Sequence, residues 1–437
     1  AVLNQILTKS IGVASVAPQG NIAAIIDPMV SPDSSYEALV DAKLAPPQQT
    51  VSDVRKALEA NIAQGRIAGF PLAQMDDHLT REAAYSALAT QGSVPTLITQ
   101  ELRDAALLRH VFYELYDEPN AQITAAAEVA RNSADNRVAT AQFADLALDA
   151  LSLASIFFLA AIGLAITFGV MGVINMAHGE FIMMGAYTGY VVQQFIPNYT
   201  VSIFVALPLA FAVTFVAGVV IERLVISRLY HRPLETLLAT FGVSIALQQL
   251  AKNIFGTQAR PLTSPDWLAG AWVVNDIIQI SFIRIAIFIL ALLFLCLIIY
   301  ILKRTRLGLE VRAVTQNSGM ASSMGINPDR INMLTFGLGS GIAGIAGVAI
   351  GLYAKVTSEM GSDYIVQSFM TVVVGGVGNV WGTLAGAAMI GFGQKWIEWL
   401  NPSNTLAAQT YMILFVILFI QFRPKGIVAL KGRAAGD

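Results

Sequence analysis

From Ala150 to Ala177 the chain carries no acid, base or histidine. A helix of about 20 apolar residues spans the hydrocarbon core of a bilayer, whereas a water-facing helix breaks its apolar stripe with polar residues every turn or two. The run therefore predicts a first transmembrane helix and makes lipid the solvent for the rest of the chain. Further apolar stretches lie at 181–196, 201–221, 236–251, 285–302, 331–354, 364–394 and 409–422. The stretch 364–394 is long for one straight helix and is punctured by Gly375-Gly376-Val377-Gly378-Asn379, which favours two crossings, or one crossing and a re-entrant segment. The expected fold class is an all-α polytopic membrane protein with eight or nine transmembrane helices, some of them broken or re-entrant.

Charge divides the chain in two. Residues 1–150 hold 18 acids and 10 bases, and residues 151–437 hold 11 acids and 17 bases. Charged residues make up 13% of the whole, about half the roughly 25% of soluble domains. The basic excess sits in short clusters between apolar runs, so it gives no continuous surface for nucleic acid. These clusters are Arg223/Arg228/Arg232, Lys303/Arg304/Arg306/Arg312 and Arg423/Lys425/Lys431/Arg433. The positive-inside rule places all three in the cytoplasm. Counting spans back from them puts residues 1–149 outside, as an extracytoplasmic, mainly helical domain, and 150–437 in the membrane. The chain begins at Ala1 without methionine, as a processed export signal or a trimmed start would leave.

In the first domain, apolar residues three and four apart predict helices over 52–64, 80–91, 95–115 and 120–133. Residues 1–50, with five prolines, look less regular. His78 and His110 have no His or Cys at ligand spacing, and the single cysteine, Cys296, lies in an apolar run; no metal site and no disulfide framework is expected.

Two segments carry the candidate chemistry. In Asn175-Met176-Ala177-His178-Gly179-Glu180, three polar side chains interrupt apolar sequence. Ionisable groups at membrane depth are costly and usually functional, and a broken membrane helix survives only where protein or a cavity satisfies its backbone. A short solvated turn is the plainer reading. The loop 303–330 mixes small, apolar and charged residues as a surface helix does. Its basic edge suits anionic lipid, and its apolar positions suit a groove on a cytoplasmic partner. No Gly-x-x-x-x-Gly-Lys-[Ser/Thr] occurs, so the chain has no such cradle for ATP phosphates. No nucleophile and base pair is evident for an enzyme.

The run Ile166-Thr167-Phe168-Gly169-Val170-Met171-Gly172-Val173-Ile174 and the element Asn175-Met176-Ala177-His178-Gly179-Glu180 resemble the permeases of ABC importers for branched-chain amino acids. The likeness continues through Leu238-Ala239-Thr240-Phe241-Gly242, the loop 303–330 and Gly375-Gly376-Val377-Gly378-Asn379. The wording of the first element, together with Phe422-Arg423-Pro424-Lys425-Gly426-Ile427, is most like the family's urea-transporting branch. The resemblance implies a translocation subunit in a bacterial inner membrane, paired with a second homologous permease subunit. It also implies two cytoplasmic ATPase subunits, which bind ATP-Mg, and a periplasmic binding protein. This chain would itself bind no cofactor and catalyse nothing. A small neutral solute needs hydrogen-bonding groups rather than a counter-charge; Asn175, Thr240, Gln248 and Asn379 are the expected lining, with His178 and Glu180 bracing the break or lining its cytoplasmic side. Glu310, Ala313, Asn317, Ala321 and Gly325 are the expected ATPase contacts. Other cargoes are branched-chain amino acids and short amides. A passive urea or amide channel is the rival class, and an integral-membrane hydrolase a remoter one.

Overall fold

The computed structural model describes residues 2–428 apart from 16, 17 and 231. Lys431 and Arg433 of the last basic cluster lie outside the described residues. The chain divides into two units, Ala1–Arg137 and Val138–Asp437.

The first unit runs through α1 (Val2–Ile6), β1 (Lys9–Ala14), β2 (Ile22–Ile26), α2 (Pro32–Asp41) and α3 (Val51–Ala60). A short meander comes next, β3 (Ile62–Ala63), β4 (Arg66–Ile67) and β5 (Phe70–Pro71), then α4 (His78–Thr90), α5 (Gln100–Leu108) and β6 (Val111–Tyr116). β6 is the centre of an antiparallel sheet of order β1-β6-β2. Helices α2 and α5 cover it, burying Tyr36, Leu39, Leu107 and Phe112 together. A second small core, Leu58, Ile67, Ala84, Tyr85 and Leu88, joins α3, α4 and the meander. Thr50 and Asp53 form a reciprocal capping box on α3, and the hydrogen bonds from Thr50 hold the Asp53 carboxyl below the usual carboxylate range.

This sheet corrects two expectations. The helix expected over 95–115 is confined to Gln100–Leu108, because Val111-Phe112-Tyr113-Glu114-Leu115-Tyr116 is rich in aromatic and branched residues that fit a pleated surface. Residues 9–14 and 22–26, expected to be irregular, supply its two outer strands.

Helix α6 (Ala121–Met171) takes in the expected helix over 120–133 and continues without a break into the first apolar run. The second unit continues with α7 (His178–Phe195), α8 (Tyr199–Leu224), α9 (Pro233–Phe255), the hairpin β7 (Ala271–Val273) and β8 (Gln279–Ser281), and α10 (Phe282–Arg304). Then come α11 (Arg306–Gln316), α12 (Ser318–Ser323), α13 (Pro328–Tyr353), α14 (Met360–Gly375), α15 (Val380–Leu400) and α16 (Thr405–Phe422). Among the described residues, five helices are long and apolar enough to cross a bilayer: α6, α8, α9, α10 and α13. The pair α14 and α15 meets the same test jointly, bent by 119° at the expected break. Gly376 and Gly378 take φ of +107° and +76° there, a conformation open to glycine and strained for other residues. By length and composition alone this is fewer than eight or nine spans; α7 and α16 fall outside the five.

Helix α13 is the axis of the second unit, and its glycines explain how three neighbours reach it. A Cβ at Gly339 would crowd the Gly163 carbonyl of α6, one at Gly344 would meet Thr214 and Ala210 of α8, and one at Gly347 would strike the Ile182 carbonyl of α7. Reciprocally, a Cβ at Gly185 of α7 would strike the Gly344 carbonyl. In lipid, apolar contact alone does not favour helix over solvent, so close backbone approach through small residues is what holds helices together. At one end of this unit, Asp149 of α6 pairs with Arg284 of α10, and Lys395 of α15 pairs with Glu398 at 2.8 Å.

Gly185→Ala and Gly347→Ala should each destabilise the detergent-solubilised protein by about 1–3 kcal/mol through overpacking. Gly242→Ala in α9, where a Cβ meets nothing within 4 Å, should leave stability unchanged or raise it slightly. Thermal unfolding of the three variants checks this; equal melting of all three would remove the assigned role of these contacts.

Candidate functional site

Helix α6 ends at Met171 and α7 begins at His178, so the backbone of residues 172–177 needs partners from outside a helix. Two side chains meet that need, and a third ties the start of α7 back to α6. Asn175 Oδ1 accepts the Ala177 N–H at 3.0 Å, folding the segment back on itself. Thr240 Oγ1, from α9, accepts the Met176 N–H at 3.1 Å. His178 Nε2 lies 2.9 Å from the Ala160 carbonyl of α6. A carbonyl only accepts, so Nε2 carries the proton and the uncharged ring suffices, while Nδ1 is buried without a partner.

One turn on, Glu180 is buried. Its Oε1 accepts from Ser244 Oγ at 2.9 Å and from Gln248 Nε2 at 2.8 Å, both on α9. Gln248 Nε2 also donates to Ser362 Oγ of α14 at 2.8 Å. Glu180 thereby ties three helices together. Its Oε2 and Asn175 Nδ2 are buried without partners among the described residues, one acceptor and one donor left over for something else. Buried polar groups of this kind mark places where water or a solute belongs.

The six residues expected to line the pathway therefore separate. Across the seam between the broken segment and α9, Thr240 meets the Met176 N–H and Gln248 meets Glu180, while Asn175 turns onto its own segment and His178 onto α6. Asn379 stands apart: it caps α15, its Oδ1 accepting from the Trp381 and Gly382 N–H groups at 2.9 and 3.1 Å. It borders a different cavity, of about 360 Å³, with Gly169, Val170, Lys303, Arg312 and Trp381.

Sequence reasoning missed Ser244 and Ser362, although α9 signals its polar face plainly. Thr236, Thr240, Ser244 and Gln248 recur every four residues, which puts them on one side of a helix, and the first three are buried. It also missed the polar groups of α14, where Gln367 Oε1, Ser368 Oγ and Thr371 Oγ1 are further buried oxygens without partners among the described residues.

The loop 303–330 forms two helices that meet at Asn317, whose side chain caps α12 by accepting the Met320 N–H at 2.9 Å. Ala321 is buried on Val311, Val314 and Ile331 in the loop's own small core, with Ala313 packed beside it. Glu310 is half-buried, and Asn317 and Gly325 are exposed, Gly325 with φ +85°. The apolar surface that the loop offers outward is instead Leu309, Met320 and Met324, the last two 63% and 77% exposed.

Residues 146–421 match the family described as "Branched-chain amino acid transport system / permease component". The chain belongs to this family. The high-affinity branched-chain amino acid transport system permease protein BraD of Pseudomonas aeruginosa is 26% identical over 295 residues, covering 64% of this chain and 94% of BraD. LivH of Escherichia coli, which has the same descriptive name, is 28% identical over 292 residues, covering 64% of this chain and 92% of LivH. A probable branched-chain amino acid transport permease, LivH of Methanocaldococcus jannaschii, is 23% identical over 298 residues, 64% of this chain and 91% of its own. No solved structure matches the chain. The permease match starts inside α6 and ends inside α16, so it takes in the seam, the α14–α15 break and the loop 303–330, and leaves the sheet-bearing first unit outside.

The seam makes the permease's polar groups separable by mutation. Thr240→Val strands the Met176 N–H and should cost about 1–3 kcal/mol; His178→Ala also opens a cavity and should cost about 2–5 kcal/mol. Glu180→Gln keeps a carbonyl oxygen for Ser244 and Gln248, so its melting in detergent should stay close to wild type. Destabilisation by Glu180→Gln as severe as by His178→Ala would mean that the carboxylate charge itself holds the seam.

Proposed function

We propose that this permease is one of two homologous membrane subunits of an ATP-driven importer, forming half of its translocation pathway. The observation that carries this reading is the seam itself. A family permease places a broken helix, a buried carboxylate and a four-residue polar repeat of α9 against one another, with a donor at Asn175 and an acceptor at Glu180 unfilled. Neighbouring polar oxygens on α14 extend the set. Asn175, Glu180, Thr240 and Gln248 face the solute in this proposal, His178 braces the break, and Asn379 shapes the cytoplasmic end near the loop.

The proposed cargo is urea. Its two amino groups and one carbonyl oxygen complement an acceptor and a donor held at membrane depth, and the seam carries no fixed cation to receive a carboxylate. Branched-chain amino acids are the second reading, favoured by the likeness to BraD and LivH, whose names specify that transport. Lys252, a turn beyond Gln248 and paired with Glu359 at 3.0 Å, is the nearest basic group along the α9 stripe for an amino-acid carboxylate. In either case transport is driven by two cytoplasmic ATPase subunits and supplied by a periplasmic binding protein. The three basic clusters set the cytoplasmic side, so the protein lies in a bacterial inner membrane with residues 1–149 in the periplasm and the C-terminus in the cytoplasm.

The outward Leu309, Met320 and Met324 are the proposed ATPase anchor, since exposed methionines adapt to grooves. Ala321 supports the loop from within and Gly325 turns it at a positive φ, so a bulky residue at either position would damage the loop before it touched a partner.

The test is uptake into vesicles holding both permease subunits and the ATPases, with binding protein outside. ATP-dependent accumulation of labelled urea and not of leucine is expected; leucine alone would establish the second reading, and equal uptake without ATP would establish a channel. Met320→Asp with Met324→Asp should cut substrate-stimulated ATP hydrolysis at least about tenfold, as loss of an apolar anchor does, while membrane insertion stays normal. Unchanged stimulation would move the anchor elsewhere.

A further inference from the structure

A second cavity, of about 330 Å³, lies between α7, α8 and α9. Its size falls within the roughly 300–1,000 Å³ of small-ligand sites. Its walls are aliphatic and aromatic, with two polar side chains among them, Tyr187 and Thr188. The Thr188 hydroxyl is satisfied by the Met184 carbonyl at 2.8 Å. The Tyr187 hydroxyl is not: the residue is 3% exposed, and its oxygen is buried without a partner among the described residues. An unpaired phenol in an otherwise apolar crevice costs free energy unless a ligand completes it.

The surroundings say what kind of ligand. The outer walls Leu209, Val213, Leu250 and Ile254 are exposed aliphatic side chains of spanning helices, so the crevice opens to the hydrocarbon. The ring of Tyr187 stacks on Phe255 with centroids 4.2 Å apart. Arg260 sits over that end of the crevice, donating to the Phe255 carbonyl at 2.8 Å and lying 5.9 Å from the Tyr190 ring centroid. Two of the five guanidinium N–H donors go to that carbonyl, which leaves three, and no acid pairs with Arg260 among the described residues. The apolar trough is thus accompanied by a single unpaired hydroxyl, and a guanidinium stands by the Phe255 end. We propose that this crevice binds one phospholipid, with an acyl chain in the trough, an ester carbonyl accepting from the Tyr187 hydroxyl, and the phosphate on Arg260. The site is independent of the transported solute, because none of its residues belongs to the Glu180 seam.

The test uses the full chain, purified in mild detergent and washed to remove bulk lipid, then titrated with 1-palmitoyl-2-oleoyl phosphatidylglycerol and read by native mass spectrometry. Wild type should retain one tightly held lipid. Val191→Trp, which fills the trough, should abolish that retention. Tyr187→Phe should weaken it about tenfold, and Arg260→Gln should weaken it and remove any preference over the zwitterionic phosphatidylcholine. Thermal melting in detergent confirms that each variant is folded. Equal retention by wild type and all three variants, or no retained lipid in any, would overturn the site. So would cross-linking that places a helix of another membrane subunit against residue 191.

Discussion

Everything in the membrane unit depends on one requirement: in hydrocarbon, a backbone N–H or C=O that leaves a helix must find a partner inside the protein. The segment 172–177 leaves the helix, and the neighbouring structure is arranged around that fact. Asn175 supplies a partner locally, Thr240 supplies one from α9, and His178 ties the new helix back to the Ala160 carbonyl of the old one. Each of these is a short polar side chain at a fixed distance from backbone, and none carries a formal charge. The break is therefore kept without an ion pair, whose desolvation would exceed much of its Coulombic gain.

Glu180 is the exception, and its position shows why it is tolerated. Ser244 and Gln248 both donate to one oxygen, and Ser362 ties Gln248 to α14. A group that joins α7, α9 and α14 couples the relative positions of the helices to whatever occupies its second oxygen. The glycine contacts of α13 act in the opposite direction. Close packing against α6, α7 and α8 leaves little room for side-chain rearrangement, because a backbone carbonyl has no rotamer to change. The unit therefore combines a glycine-packed side, around α13, with a polar seam on the side of α9 and α14.

Much of this was legible in the sequence. The charge-free run after Ala150 announced lipid, and the Asn175–Glu180 element announced the break. The glycines at 375–378 announced a bend that the helices α14 and α15 make at that place. Legibility failed where the information is tertiary. Nothing local distinguishes Ala321, packed inward, from Met320, which faces out; only the way α11, α12 and α13 come together decides it. Asn379 has the composition of a pathway residue and serves as a helix cap, because its side chain finds its own backbone first. In the first unit, strand β6 lies directly behind α5, and the apolar spacing runs on across the junction, so periodicity alone extends the helix through it.

The α9 stripe shows how a signal can be present and still be read incompletely. Thr240 and Gln248 draw attention as isolated polar residues, but the four-residue step that includes Thr236 and Ser244 identifies a continuous face. That face has three tasks along its length. Near its start, Thr236 satisfies carbonyls of the preceding turn, Leu229 and Arg232, at 2.8 and 3.0 Å. In its middle, Thr240 satisfies the break, and farther on Ser244 and Gln248 hold Glu180. Hydroxyls serve at the first two positions because each has only to reach backbone groups nearby. A longer amide serves at the last because it has to bridge two helices.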